Sequence, residues 1–192
     1  PASRRAVRTR LEILRGAAAA FRARGFQRTR LDDVAAACDR TKASLYYYFG
    51  SKEELLFFCQ DHALDSLLDA AARAGRATGD AVAVLEGLLT EHGRTVLDET
   101  AGGAAHLEVH ALPEPWRSRI VEKRDRYEAT IRRLISRGQR DGAFAPGDAG
   151  LLARLVLGGM NATAAWFRPD GPLDAATVAA ESARRLVRGL RK

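Results

Sequence analysis

Apolar side chains recur along this chain at steps of three and four. Alternation of period two is rare, so the pattern predicts helix almost throughout. The first helix is expected over Ser3–Arg24, with Val7, Leu11, Leu14, Ala18 and Phe21 as its apolar stripe and Gly25 as the left-handed residue that ends it. Two short helices follow, Leu31–Cys38 and Lys42–Phe49. Thr29-Arg30-Leu31-Asp32 reads as a weakened capping box for the first, with the cap on Thr29, and Thr41 is the N-cap expected for the second. Ser51-Lys52-Glu53-Glu54 is a full capping box. It opens a long helix to about 74, with Gly75 and Gly79 marking its end. Further helices are expected at about 80–99, 103–112, 116–139, 148–167 and 174–190. They are separated by Pro113 and Pro115, by Gly142, Pro146 and Gly147, and by the turn Arg168-Pro169-Asp170-Gly171-Pro172.

Composition narrows the class. Of 192 residues, 46% are hydrophobic and 29% charged, enough apolar content for a packed core. Cys38 and Cys59 are too few for a disulfide framework and read as reduced thiols of a cytoplasmic protein. The arginine-rich first segment lacks the apolar core of a secretory signal. The longest uncharged apolar stretch, Leu155 to Phe167, is too short to span a bilayer, so no membrane partner is expected.

Charge changes the picture more. Residues 1–52 carry 12 basic and 4 acidic side chains, a net +8, while the remaining 140 residues carry a net −1. Concentrated positive charge at one end is the footprint of a polyanion. Two short helices joined by a tight turn at Asp39-Arg40 form a helix-turn-helix, whose second helix enters the major groove of double-stranded DNA N-terminus first. Lys42, Ala43 and Ser44 lead that helix. Ser44 can donate or accept a hydrogen bond, and Lys42 can reach guanine or phosphate. Tyr46, Tyr47 and Tyr48 are consecutive and cannot share one direction. One is expected to pack inward while the others offer hydroxyls to phosphates. Lys52, at the start of the next helix, is placed for a phosphate contact.

The run Thr41-Lys42-Ala43-Ser44-Leu45-Tyr46-Tyr47-Tyr48-Phe49-Gly50-Ser51-Lys52-Glu53-Glu54-Leu55-Leu56 resembles the recognition-helix signature of TetR-type transcriptional regulators. Ala20-Phe21, Gly25-Phe26 and Leu31-Asp32-Asp33-Val34-Ala35 upstream do so as well, and the likeness spans about 9–56. The resemblance implies an all-α fold. A three-helix DNA-binding unit over 1–50 would precede a ligand-binding and dimerisation domain over 51–192, with the helix at 51–74 as connector. It implies DNA contacts from Arg30, Lys42, Ala43, Ser44, Tyr46, Tyr47, Tyr48 and Lys52, with Thr41 at the helix start. The pattern departs from the family at Asp39-Arg40, where Gly and a small apolar residue are usual, so Arg40 becomes a candidate for the DNA backbone. It departs again at Arg30, where Thr is usual.

Further on, Trp116-Arg117-Ser118-Arg119, Arg124-Asp125-Arg126-Tyr127-Glu128, Gly158, Met160-Asn161 and Trp166 to Leu173 resemble the TetR branch that regulates fatty-acid and steroid catabolism. Members of that branch respond to acyl-coenzyme A thioesters. The resemblance implies a repressor released from a pseudo-palindromic operator by a hydrophobic effector. The pocket candidates are Leu88, Leu89, Leu107, His110, Tyr127, Ile131, Met160, Asn161 and Trp166, and Arg117, Arg119, Arg124 and Arg168 could meet the coenzyme phosphates. The alternative is a multidrug-type sensor of cationic aromatic ligands, using Glu91, Asp98, Glu99 and Glu108. A homodimer is expected through the helices at 148–167 and 174–190. Leu151, Leu152, Leu155, Val156 and Gly159 give the first excess apolar surface, and Val178, Ser182, Leu186 and Leu190 stripe the second. No nucleophile elbow, phosphate-binding glycine loop or metal-ligand set is present, so neither enzyme activity nor a cofactor is expected. His92, His106 and His110 come nearest to a metal-ligand set, without the carboxylates or thiolates that would demand one.

Overall fold

The computed structural model describes residues 4–97 and 108–192, apart from the side chains of Arg4, Arg5 and Arg22. The described residues form eight α-helices and no β-strand: α1 Arg4–Arg24, α2 Leu31–Ala37, α3 Lys42–Tyr48, α4 Lys52–Arg76, α5 Ala81–Leu97, α6 Trp116–Arg140, α7 Ala149–Trp166 and α8 Ala175–Arg188. The helix expected at 103–112 lies largely outside the described residues. Its visible end is a single 3-10 turn, Val109–Ala111. The described residues form two compact units, one of 4–63 with 108–120, the other of 64–97 with 121–192.

In the first unit α1 packs on α2, and α2 on α3. The stripe of α1 is buried only from Leu14 onward, and Val7 is exposed. Ile13 and Ala17 complete the buried face. Gly25 takes φ 75°, where a Cβ would be strained, and closes α1 by donating its N–H to the Phe21 carbonyl at 2.8 Å. Thr29 does not cap α2. Its hydroxyl is buried and donates to the carbonyls of Gly25 at 2.8 Å and Ala20 at 3.2 Å. Arg30 is the N-cap instead, with its N–H held by the Asp33 carboxylate at 2.8 Å. The acidic partner therefore stands three residues after Arg30, one position later than the sequence pattern suggested.

The turn between α2 and α3 keeps a left-handed residue although glycine is absent. Asp39 takes φ 52°, a conformation that a short polar side chain tolerates better than most. Arg40 N–H then donates to the Ala35 carbonyl at 2.9 Å. Thr41 caps α3 as expected, accepting from Ser44 N–H at 3.2 Å. Ser51 caps α4 by accepting from Glu54 N–H at 3.0 Å, while the Glu54 carboxylate reaches back to Gly50 N–H at 2.7 Å.

The second unit is a helical pack in which α5 lies chiefly on α8, with α7 against both. The approach is close. A Cβ on Gly93 would fall 2.6 Å from Met160 Cε and 2.8 Å from Ala179 Cβ. Gly75 does not stop α4, which runs to Arg76, and Arg137 holds the following loop by donating to the Ala77 carbonyl at 2.7 Å. Val178 and Leu190 are buried inside this unit, so half of the α8 stripe expected at a subunit contact is committed to the core. On α7, by contrast, Leu151, Leu155 and Trp166 are 57%, 59% and 57% exposed. With Gly158 and Ala162 they form an apolar, solvent-facing line.

Candidate nucleic-acid interface

Helix α3 has the amphipathic form of a reading helix. Leu45 and Phe49, four apart, are its fully buried anchors. Lys42, Ala43, Tyr46 and Tyr47 are exposed, and Ser44 is half-buried. None of Tyr46, Tyr47 and Tyr48 packs fully inward. Leu45 and Phe49 already occupy the inner face, and Tyr48 is half-buried with its ring edge-on to Tyr47 at 5.0 Å. Tyr47 is 83% exposed, its ring available to a partner. Arg30 is exposed at the start of α2, and Thr41 is exposed at the start of α3.

The basic side chains differ in their freedom. Lys42 Nζ pairs with Asp32 at 2.9 Å, an exposed ion pair that holds the proton on Lys42 more tightly but is weak enough to exchange for a phosphate. Arg40 does not project into solvent. Its guanidinium donates to Glu12 of α1 at 2.6 Å, lowering the Glu12 pKa, and so ties the turn to α1. Lys52 is likewise engaged inward. Its ammonium donates to the carbonyls of Phe26 at 3.0 Å and Gln27 at 3.3 Å and lies 4.3 Å from the Phe26 ring centre. Behind α3, the Arg10 guanidinium lies against the rings of Phe49 and Phe58, which are themselves in contact at 5.4 Å, joining α1, the end of α3 and α4.

The pocket candidates scatter. Leu88, Leu89, Tyr127, Ile131 and Met160 are buried in the second unit, and Asn161 is half-buried there. Trp166 is mostly exposed, His110 is exposed and belongs to the first unit, and Leu107 lies outside the described residues. His92 was missed as a core residue, although Leu85, Leu88, Leu89, His92 and Val96 continue one helical stripe. Its Nε2 lies 3.0 Å from Asn161 Oδ1, its ring stacks on Tyr127 at 5.5 Å, and burial pushes its pKa down to about 4. Arg117 pairs with Glu114, Arg119 with Asp61, and Arg168 with Asp170. Arg124 is half-buried, and desolvation lowers its pKa. Cys38 and Cys59 are free thiols, and burial raises Cys59 to about 12. Among the described residues no three His, Cys, Asp or Glu side chains gather as for a metal, and no helix is long and apolar enough to cross a membrane.

A capped two-helix motif, with its second helix presenting lysine, serine and tyrosines outward, defines a helix-turn-helix DNA-binding regulator. Residues 13–57 match the family "Bacterial regulatory proteins, tetR family", and residues 78–190 match "Tetracyclin repressor-like, C-terminal domain". The chain belongs to the tetR family of bacterial transcriptional regulators. It is 27% identical over 191 residues to the HTH-type transcriptional repressor KstR2 of Mycobacterium tuberculosis, covering 94% of this chain and 92% of that one. The structure of the TetR family regulator PfmR from Thermus thermophilus matches at 34% identity and TM-score 0.81, covering 94% of this chain and 99% of that one. AibR, solved in complex with isovaleryl coenzyme A and operator DNA, matches at 26% identity and TM-score 0.78, covering 95% and 98%.

Proposed function

We propose that this regulator is a dimeric repressor that leaves its operator when an acyl-coenzyme A thioester occupies the second unit. The observation that carries the ligand class is the likeness, across nearly the whole chain, to AibR, solved in one complex with isovaleryl coenzyme A and operator DNA; release rather than retention of the operator is what the titration below decides. Likeness to the repressor KstR2 supports the repressor part of the reading. The DNA contacts assigned are Arg30, Thr41, Lys42, Ala43, Ser44, Tyr46 and Tyr47, with Tyr48 at the edge, and with Arg40 and Lys52 acting through the loops they hold. The apolar line on α7 supplies the subunit contact, and two-fold pairing would match a pseudo-palindromic site. Effector binding then works by differential affinity, favouring the arrangement whose reading helices no longer fit successive major grooves. Couplings of this kind are about 1–3 kcal/mol. Of the carboxylates that would favour a cationic aromatic ligand, Glu91 is paired with Arg73 at 2.7 Å, which weakens that alternative.

The test begins with selection of bound sequences from random duplex DNA. Release of the selected site is then titrated with isovaleryl-, octanoyl- and polycyclic acyl-coenzyme A esters, their free acids, and rhodamine 6G. Release by at least one thioester, and not by the acids or the dye, is expected. Release by the dye alone replaces this reading with the multidrug one.

A further inference from the structure

Three polar side chains from three helices meet inside the second unit: His92 on α5, Tyr127 on α6 and Asn161 on α7. The amide oxygen of Asn161 can only accept, so His92 Nε2 carries the proton of that 3.0 Å contact. His92 thereby fixes the amide, and the Asn161 NH2 remains a donor on a half-buried side chain. Tyr127 is 3% exposed, yet its hydroxyl has no hydrogen-bonding partner among the described residues. Buried hydroxyls are nearly always paired, because leaving one unpaired costs stability. Burial holds this phenol protonated, so it too is a donor.

We propose that Tyr127 and Asn161 together anchor the carbonyl oxygen of a neutral acyl compound, with His92 as the positioning residue for the amide. This rests on the reading that the effector binds in the second unit. Two donors flanking a neutral imidazole call for an acceptor. Burial, which disfavours any charge beside Tyr127, disfavours a carboxylate there, and Glu91, although paired with Arg73, acts on Tyr127 in the same direction. The half-buried Arg124, one turn before Tyr127 on α6, is the cation that would favour one, and the test separates the two classes. An ester, thioester or ketone carbonyl meets the donors without bringing a charge into the core, and the buried Leu88 and Leu89, one turn before His92 on α5, and Met160, next to Asn161 on α7, are apolar as its hydrocarbon part requires.

The experiment compares octanoyl-coenzyme A with its S-octyl thioether, which lacks the carbonyl, by calorimetry on the full chain and on Tyr127→Phe and Asn161→Leu. The wild type is expected to prefer the thioester tenfold or more and to bind octanoate no better than the thioether. Both variants should lose the preference, while the unliganded Tyr127→Phe protein melts at the same or a higher temperature. A preference unchanged in Tyr127→Phe, a fall in its melting temperature, or octanoate bound as tightly as the thioester overturns the anchor. The coenzyme reading survives each of these. If neither coenzyme compound binds, that reading fails, and heptan-2-one against heptane in a thermal-shift assay decides the anchor. A ketone-specific shift lost in Tyr127→Phe sustains it. No such shift, or one kept in the variant, overturns it.

Discussion

The Arg10 guanidinium of α1 stands 4.8 Å from the centre of the Phe49 ring, the residue that closes the reading helix, and Phe58 of α4 flanks it at 4.7 Å. The two rings touch each other at 5.4 Å, and a cation set over both is attracted by each, by about 0.5–2 kcal/mol depending on desolvation. Arg10→Met keeps the stem and removes the charge. It should lower stability by about 1–2 kcal/mol in urea titration and weaken DNA binding, because the C-terminal end of α3 loses its brace. Unchanged affinity would show that this three-way contact is packing only.

Lys42 and Lys52 should separate in salt dependence. Lys42→Ala removes an exposed ammonium that can exchange Asp32 for phosphate, so the slope of log affinity against log salt should flatten by about 0.9. Lys52 is spent on two carbonyls. Lys52→Ala should lower stability by about 1–2 kcal/mol and leave the slope nearly unchanged. Filter binding across salt concentrations, beside urea melts, distinguishes the two roles.

Asp39 sits at φ 52° in the helix-turn-helix turn. Asp39→Gly removes the Cβ strain and should raise stability by up to about 1 kcal/mol, while Asp39→Val should lower it by more. A thermal melt of both variants checks the sign.

His92 supplies a pH signature. Its folded-state pKa, pushed down to about 4 by burial, lies below the ordinary 6.5. The unfolded chain therefore binds the proton more readily between those values. Stability is complete above pH 6.5 and falls as pH drops toward 4, by on the order of 3 kcal/mol at most. His92→Gln should flatten that segment of the stability curve, measured as urea midpoint against pH.

The α7 line predicts a dimer that one charge can split. Leu155→Glu, at a 59% exposed site, should leave the isolated fold intact and shift the mass seen in light scattering to the monomer. A dimer that persists would move the contact off α7.

The helices were legible in the residues themselves because their causes are local. Capping by Thr41 and Ser51, the left-handed stop at Gly25, and the three-and-four spacing of apolar positions all act within a few residues of chain. The outward face of α3 was legible for the same reason, since its exposed positions follow from Leu45 and Phe49 facing in. What the sequence left open depends on partners distant along the chain. Nothing in the order of residues shows that Lys52 turns back to Phe26, that Arg40 meets Glu12, or that Thr29 buries its hydroxyl and leaves the cap to Arg30. Nor could spacing show that His92 and Asn161, 69 residues apart, share a hydrogen bond. Val178 could equally have faced a partner subunit. Its apolar character determined that it would be covered, and only the packing of α8 on α5 decided by what.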